Sequence, residues 1–421
     1  MKAKNKLAAG TGSSVPVEEC QVCGHADLES VLFLGYMPPV NQMRPIGERM
    51  TEQPAYPAEL LFCPKCELVQ IGLVVDPRVL FPSDYPYTSG TTRILHDNFS
   101  EMAEEAGTLL DLRNSDLVVD IGSNDGTLLS KFKARGYPVH GIEPTDTHRL
   151  ALDAGIPTTH AFFTTETVRK VHAAIGPAAV VTACNCFAHI ENIHDIMRGI
   201  LAVIGKDGVF ISESHYLIGL LETVQYDTVY HEHLRYYSLK SLRHLLAMHG
   251  LEVFHTKRIP THGGSIRVYA AAKGRRSIQP SVGKMLADED ARGPMRDQLR
   301  SFRRQVLRSK LDLYGLLRDI KAAGGRIYGI SAPSRASTLV NYVGLDEQIL
   351  DCVLEIKGSK KIGRYLPGTL IPVVEESRLF DDPPDYALLL AWHIADDLAA
   401  KLRGLGFKGK FIAPLPIPRI L

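Results

Sequence analysis

What this chain lacks narrows its class before any motif is read. No apolar run approaches the ~20 residues that span a bilayer, so no membrane partner is expected. Lys+Arg number 48 against 47 for Asp+Glu, which leaves no cationic excess to hold a nucleic-acid backbone. The opening stretch MKAKNKLAAGTGSSVP is basic, but its apolar part is too short for a signal peptide. Residues 1–15 therefore read as a disordered tail, and the protein as cytoplasmic. The dinucleotide fingerprint G-x-G-x-x-G is missing from both small-residue turns discussed below, which disfavours a nicotinamide-dependent dehydrogenase.

What is present is a soluble globular composition, 45% hydrophobic and 23% charged, over 421 residues. That length exceeds what one hydrophobic core usually serves, so two or three domains are expected. Of seven cysteines, four form two CxxC pairs, Cys20 and Cys23 in CQVC and Cys63 and Cys66 in CPKC. In a cytosolic chain such pairs suggest metal more than disulfides. Four thiolates complete a tetrahedral structural zinc and leave no open coordination position. A redox CxxC is the bland alternative. Cys184, Cys186 and Cys352 read as buried small residues.

The expected fold class is α/β in three parts. Residues 16–85 read as short strands and turns around the zinc, with DYPYTSGTT as a linker. Residues 86–278 alternate helix and strand, through LVVDIG, VHGIEP, AAVVTACNCF and GVFISESHY, as a doubly wound parallel sheet does. Residues 279–323 form a charged helical connector whose Leu299, Phe302, Val306, Leu311, Leu313 and Leu317 suggest an amphipathic face rather than a nucleic-acid arm. Residues 324–421 read as a second, smaller Rossmann-like unit.

VVDIGSNDGTLL joins a strand to a helix through a glycine-rich turn. Gly122 and Gly126 permit tight backbone geometry and close ligand approach. Asp120 and Asn124 complete a D-x-G-x-x-x-G pattern similar to the first motif of S-adenosylmethionine-dependent methyltransferases, where the turn lies against the methionine part of the cofactor. Glu143 follows about 20 residues on, placed to accept from ribose hydroxyls; an ordinary α/β turn with an exposed Glu is the bland reading. GISAPSRAST is a weaker signal. A strand–turn–helix of this kind can hold phosphates on helix N-terminal amides with Arg335 as a charge partner, although taken alone a structural turn fits it better. In YHEH, Tyr230 to His233, His231 and His233 alternate along the chain as a chelating pair might. No third ligand is evident nearby, and acid/base catalysis or a polar loop remain the other readings. Tyr236 and Tyr237 read as exposed packing residues.

These pieces together resemble the S-adenosylmethionine-dependent C-methyltransferases of nucleotide-linked deoxysugars. The resemblance runs from Cys20 to the C-terminus through YPYTSGTT, VDIGSNDGTLL, GIEPT, NCFAHIENIHD, YDTVYHEHLRYYSL, GRYLPGTLIP and LLLAWH. It implies a zinc-binding N-terminal domain, a central class I methyltransferase domain, and a Rossmann-like C-terminal domain that helps bind the sugar nucleotide. It implies His233 as general base, with Tyr230 and Glu232 beside it and His189 as a second active-site histidine. Asn185 falls in the loop at the cofactor. Tyr85 or Tyr87 is expected at the substrate, with His231, Ser334, Arg335 and Arg364 as further substrate contacts. The chain departs from the family at SAPSRAST, where many members have glycine–alanine–proline and a lysine. LEIKGSKKIGRYLPGT lacks the usual opening, and His393 replaces a usual asparagine. These changes bear on which sugar and which nucleotide are bound.

Methylating carbon needs a carbanion equivalent, and a 4-keto sugar provides one beside its ketone. A base must remove the proton at C3 (or C5) while a donor stabilises the enolate oxygen; histidine, with its ordinary pKa near 6.5, suits the first task, and Tyr230 or His189 the second. Glu232 or a neighbouring tyrosine is expected to orient the imidazole. The expected function is C-methylation of a nucleotide-linked 4-keto-deoxysugar, most readily at C3, by a monomer or weak dimer that binds S-adenosylmethionine and structural zinc. The rivals are an O- or N-methyltransferase on the same fold and an inactive zinc-containing binding protein.

Overall fold

The computed structural model describes residues 14–81, 88–91 and 93–421. Tyr85 and Tyr87, expected at the substrate, lie outside the described residues. The described strands build three principal sheets, and the first carries the CxxC turns. Its strand Tyr56–Phe62 alternates buried and half-buried residues, the period-two pattern of a strand with one face on a core. Glu29–Met37 and Val69–Ile71 flank it, antiparallel on both sides. The fourth strand comes from far along the chain: Arg235–Tyr236, directly after YHEH, pairs with Val69–Ile71. This pairing corrects the expectation of exposed tyrosines, since Tyr236 and Tyr237 are 1% and 0% exposed.

The second sheet has seven strands in the order Leu251–Ile259, Ser265–Ala272, Ile204–His215, Ala178–Cys184, Val118–Ile121, Val139–Glu143, Thr158–His160. The last five in that order run parallel, and the first two are antiparallel additions. Val118–Ile121 is 4 residues long and buried throughout, as a central parallel strand must be. The chain reverses its direction of travel across the sheet between Val118–Ile121 and Ala178–Cys184. In open α/β sheets ligands bind outside the carboxyl ends of the strands at such a switch point.

The third sheet, also seven-stranded, is ordered Arg364–Tyr365, Pro372–Glu375, Cys352–Glu355, Ile327–Ile330, Tyr386–Leu389, Lys410–Ala413, Arg419–Ile420. Its switch point falls between Ile327–Ile330 and Tyr386–Leu389, so the turns 331–335 and 390–393 stand together at its carboxyl edge.

The connector is two helices, Pro280–Asp290 and the 28-residue Met295–Ala322. Leu299, Phe302, Val306, Leu313 and Leu317 are buried along one face of the longer helix. Leu311 is not among them: it is 61% exposed, because Ser309 and Leu313 take the buried turn on either side of it. One continuous apolar cluster runs from Cys20 and Leu60 through Phe187, Leu242 and Phe302 to Leu339 and Leu415, so the three sheets share a core. No helix among the described residues is long and apolar enough to cross a membrane.

Candidate active site

Three clusters of chemistry-bearing residues stand out: four thiols, a glycine-rich loop, and a crevice lined with imidazoles. The thiols come from two similar turns. Gly24 N–H donates to Cys20 O and Glu67 N–H to Cys63 O, both at 2.9 Å, and Gly24 (φ +66°) and Glu67 (φ +57°) close the turns in the left-handed region. Cys20 and Cys66 stand 3.5 Å apart at sulfur, as do Cys23 and Cys63, and all four sulfurs lie within 4.8 Å of one another. A tetrahedral zinc with bonds of about 2.3 Å spaces its sulfurs by about 3.8 Å, so the four thiols fit that ion. Its chemistry there is structural, because the four cysteines fill the coordination sphere.

The glycine-rich loop sits at the switch point of the second sheet. Gly122 (φ +64°) lies so close to Cys186 that a Cβ would come within 3.0 Å of the cysteine's own Cβ. Only glycine fits both the conformation and the space. Burial pushes the Asp120 carboxyl up to about 7; Thr182 Oγ1 donates to it at 2.5 Å and pulls the other way, and Glu143 nearby adds to the rise. Glu143 is only 4% exposed, against the alternative of an exposed carboxylate, and it accepts from the backbone of Asn124 (2.9 Å) and Thr145 (2.8 Å), bracing the loop. Asn185 (φ +58°) follows the strand Ala178–Cys184, its N–H donating to Glu213 O at 2.8 Å. The Asn185 Oδ1 and Ser123 Oγ atoms are enclosed without a partner. Each such group costs on the order of 1–3 kcal/mol until something satisfies it. The ammonium and ribose hydroxyls of S-adenosylmethionine are groups of the required kind, so these residues fit the cofactor.

The loop 185–192 leads from Asn185 to the imidazole crevice. His189 stands with its ring 5.0 Å from His233; His215, at the end of its strand, is 4.8 Å from His233 and 5.6 Å from His262. The Tyr230 ring lies 4.1 Å from that of His233. Burial drives all of these imidazoles below their ordinary range. His189 and His262 come down to about 4, and His233 and His215 fall well below 6.5, each aided by its neighbours. His393, from the third sheet, falls in the same direction through burial and the nearby Arg335. All five are neutral at pH 7.

His233 has a defined tautomer. Its Nδ1 lies 2.7 Å from Thr228 O, and a carbonyl only accepts, so Nδ1 carries the proton and Nε2 keeps its lone pair. Thr228, not Glu232, is thus the orienting partner. Glu232 accepts from Asn41 Nδ2 at 2.7 Å, and Asn41 Oδ1 accepts in turn from Ser334 Oγ at 3.2 Å, so residues of all three sheets' segments meet there. His231 turns the other way and donates from Nε2 to Pro57 O at 3.1 Å. The two histidines of YHEH share no face, because the stretch is a turn closed by His233 N–H to Tyr230 O, and the chelating-pair reading falls away.

Arg335 is 6% exposed. Its guanidinium donates to His262 O at 2.9 Å, lies 3.8 Å from Asp227 and stacks 5.5 Å over Trp392. Arg364 is exposed on an edge strand and donates to Met43 O at 2.9 Å. His215, Asp227 and Trp392 lie within stretches quoted above but are given no role there, and His262 lies in none of them. The signal at His262 is the glycine pair that follows it, and its own φ is +56°.

Comparison with known proteins agrees with this geometry. A zinc binding domain model matches residues 20–81, a methyltransferase domain model residues 93–256, and a model described as a C-methyltransferase C-terminal domain residues 260–416. The chain is an S-adenosylmethionine-dependent methyltransferase. It is 33% identical over 410 residues to the C-methyltransferase NovU of Streptomyces niveus, covering 96% of this chain and 97% of that one. It belongs to that C-methyltransferase family. Among solved structures, magnesium protoporphyrin IX methyltransferase (ChlM) of Synechocystis PCC 6803 with bound SAM is 13% identical, with a TM-score of 0.35 over 48% of this chain and 99% of that one. A SAM-dependent methyltransferase of Anabaena variabilis ATCC 29413 is 14% identical, with a TM-score of 0.34 over 42% of this chain and 86% of that one.

Proposed function

We propose that this protein methylates a carbon next to the ketone of a nucleotide-linked 4-keto-deoxysugar, at C3. The observation that carries the reading is His233, with Nδ1–H committed to Thr228 O and a free Nε2 in a crevice that residues 185–192 connect to the Gly122 loop. A neutral imidazole of fixed tautomer is a base ready to take a proton from carbon. His189, neutral and 5.0 Å away, or Tyr230, with its phenol protonated through burial, supplies the hydrogen bond to the enolate oxygen. When bound, S-adenosylmethionine supplies an electrophilic methyl group on sulfonium sulfur. Residues 86–278 hold it through Asp120, Gly122, Asn124, Gly126, Glu143 and Asn185. Residues 324–421 present the turn at Ser334 and Arg335 to the sugar nucleotide, as its place at the second switch point supports. Tyr85, Tyr87 and Arg364 complete the proposed substrate contacts; His231, expected among them, is turned to Pro57 O instead.

The test is mass spectrometry in deuterated water with a panel of nucleotide-linked 4-keto deoxysugars, with and without S-adenosylmethionine. Expected are gain of one methyl at the α-carbon, whose hydrogen the methyl replaces, and deuterium at that carbon in substrate incubated without the methyl donor. Methyl found on oxygen or nitrogen, or no methyl on any 4-keto sugar while the cofactor binds, would overturn the enolate route.

A further inference from the structure

We infer that Asp227 and Trp392 are positioning residues for His233, so that the C-terminal sheet orients the base as well as holding substrate. This rests on His233 being the base.

The contact chain is continuous. Trp392, in the short helical turn Trp392–Ile394 at the switch point of the third sheet, donates from Nε1 to Asp227 Oδ2 at 2.7 Å. Arg335, at the other turn of the same switch point, lies 3.8 Å from that oxygen and donates to Gln225 Oε1 at 3.4 Å. Asp227 is the middle residue of the turn Tyr226–Thr228. The next residue, Thr228, offers the carbonyl that accepts His233 Nδ1–H at 2.7 Å and the Tyr236 hydroxyl at 3.3 Å. Both turns at the edge of the C-terminal sheet therefore grip the turn that fixes the tautomer of the base.

Packing alone does not call for this arrangement. The Asp227 side chain is 0% exposed, and a carboxylate so buried is expensive unless it is paired. Burial pushes its pKa up, while Arg335 and the indole N–H act against that. An apolar residue would fill the same space at lower cost. What the carboxylate adds is an attachment that exists only while the C-terminal sheet is docked. If the turn moves, Nδ1 loses its acceptor. The imidazole can then carry its proton on Nε2, and that tautomer takes no proton from the substrate. Water reaching the loosened crevice also relieves the desolvation that keeps His233 well below 6.5.

The experiment compares Trp392→Phe and Asp227→Asn with wild type on a nucleoside-diphosphate-linked 4-keto-deoxyhexose. It reads α-carbon deuterium exchange and methyl transfer across pH, with His233→Ala as control. Expected are a roughly tenfold lower kcat in both assays for both variants and an unchanged KM for S-adenosylmethionine. The acid limb of the exchange profile should move upward toward the ordinary histidine value. A purely structural role would lower the melting temperature without moving that limb. The isosteric Asp227→Asn reads the same quantities should Trp392→Phe fail to fold. If His233→Ala is inactive while both variants match wild type in kcat and in the acid limb, the positioning role is overturned alone. If His233→Ala exchanges at the wild-type rate, the base assignment fails and takes this inference with it.

Discussion

The cysteine cluster and the histidine crevice each gather several metal-binding side chains into one place, and they resolve in opposite ways. In the first, four sulfurs from two similar turns converge within 4.8 Å of one another. In the second, ring nitrogens are committed outward, His233 to Thr228 O and His231 to Pro57 O, and the ring centres stay 4.8 to 5.6 Å apart. Convergence makes a metal site. Dispersal along a crevice, with burial holding the imidazoles neutral, makes bases and hydrogen-bond donors. The first cluster builds the fold, and in the proposed function the second acts on the substrate.

The largest expected effect breaks the first cluster. Cys63→Ser should lower bound zinc from one ion per chain to none, measured by plasma mass spectrometry. Structural zinc in small domains is worth roughly 10–16 kcal/mol, so the variant should be insoluble or melt more than 10 °C lower. A soluble variant with wild-type melting and no zinc would show that the thiols are not a structural site.

His233→Ala is the corresponding break in the second cluster. Methyl transfer and solvent exchange should both fall about 10²–10⁴-fold, the range for losing a positioned base, with zinc content and S-adenosylmethionine binding retained. Near-wild-type turnover would remove His233 from the mechanism.

Acid weakens both clusters in the same direction, and excess zinc tells them apart. His189, His231 and His262 are lowered by burial to about 4, against about 6.5 in the unfolded chain. Between those values the unfolded state binds protons that the native state refuses, so stability is fully present above about 6.5 and is lost as pH falls toward about 4. Melting temperature should drop across that window even with excess zinc, and His262→Asn should flatten the slope. If excess zinc abolishes the acid loss, the thiols carry it instead of the imidazoles.

The same contrast explains what could be read in the sequence. Two CxxC pairs are local, so their chemistry is legible without knowing how the chain folds. The strand–turn–helix at Gly122 is local too, and each turn at a switch point inherits its place from βα order alone. The histidine crevice is not local: His189, His215, His233, His262 and His393 come from five segments brought together by the ends of two sheets. A resemblance reached His189 and His233, but no spacing announces His215 or His262. The pairing of Arg235–Tyr236 with the cysteine-bearing sheet was equally hidden, because two residues carry no periodicity. Leu311 failed for the opposite reason: in a 28-residue helix a one-position slip of the apolar stripe is enough to turn a leucine to solvent.

The smallest predicted effect tests whether the two clusters act separately. Asn41 belongs to the segment that carries the cysteines, yet its amide donates to Glu232 at 2.7 Å, and its carbonyl accepts from Ser334. If the zinc-bearing segment serves only as scaffold, Asn41→Ala should leave catalysis alone and cost about 1 kcal/mol of stability, the worth of a hydrogen bond to a charged group less the solvation it recovers. The placement of Glu232 next to His233 argues for more. Without Asn41 the buried carboxylate loses a donor, and its pull on the YHEH turn changes while the Thr228 contact stays intact. Zinc content should be unchanged, the melting temperature should fall by a few degrees, and kcat should drop three- to fivefold with exchange and methyl transfer moving together. An unaltered kcat would confine the cysteine-bearing segment to folding, whereas a loss as large as that of His233→Ala would move Glu232 from the margin of the site to its centre.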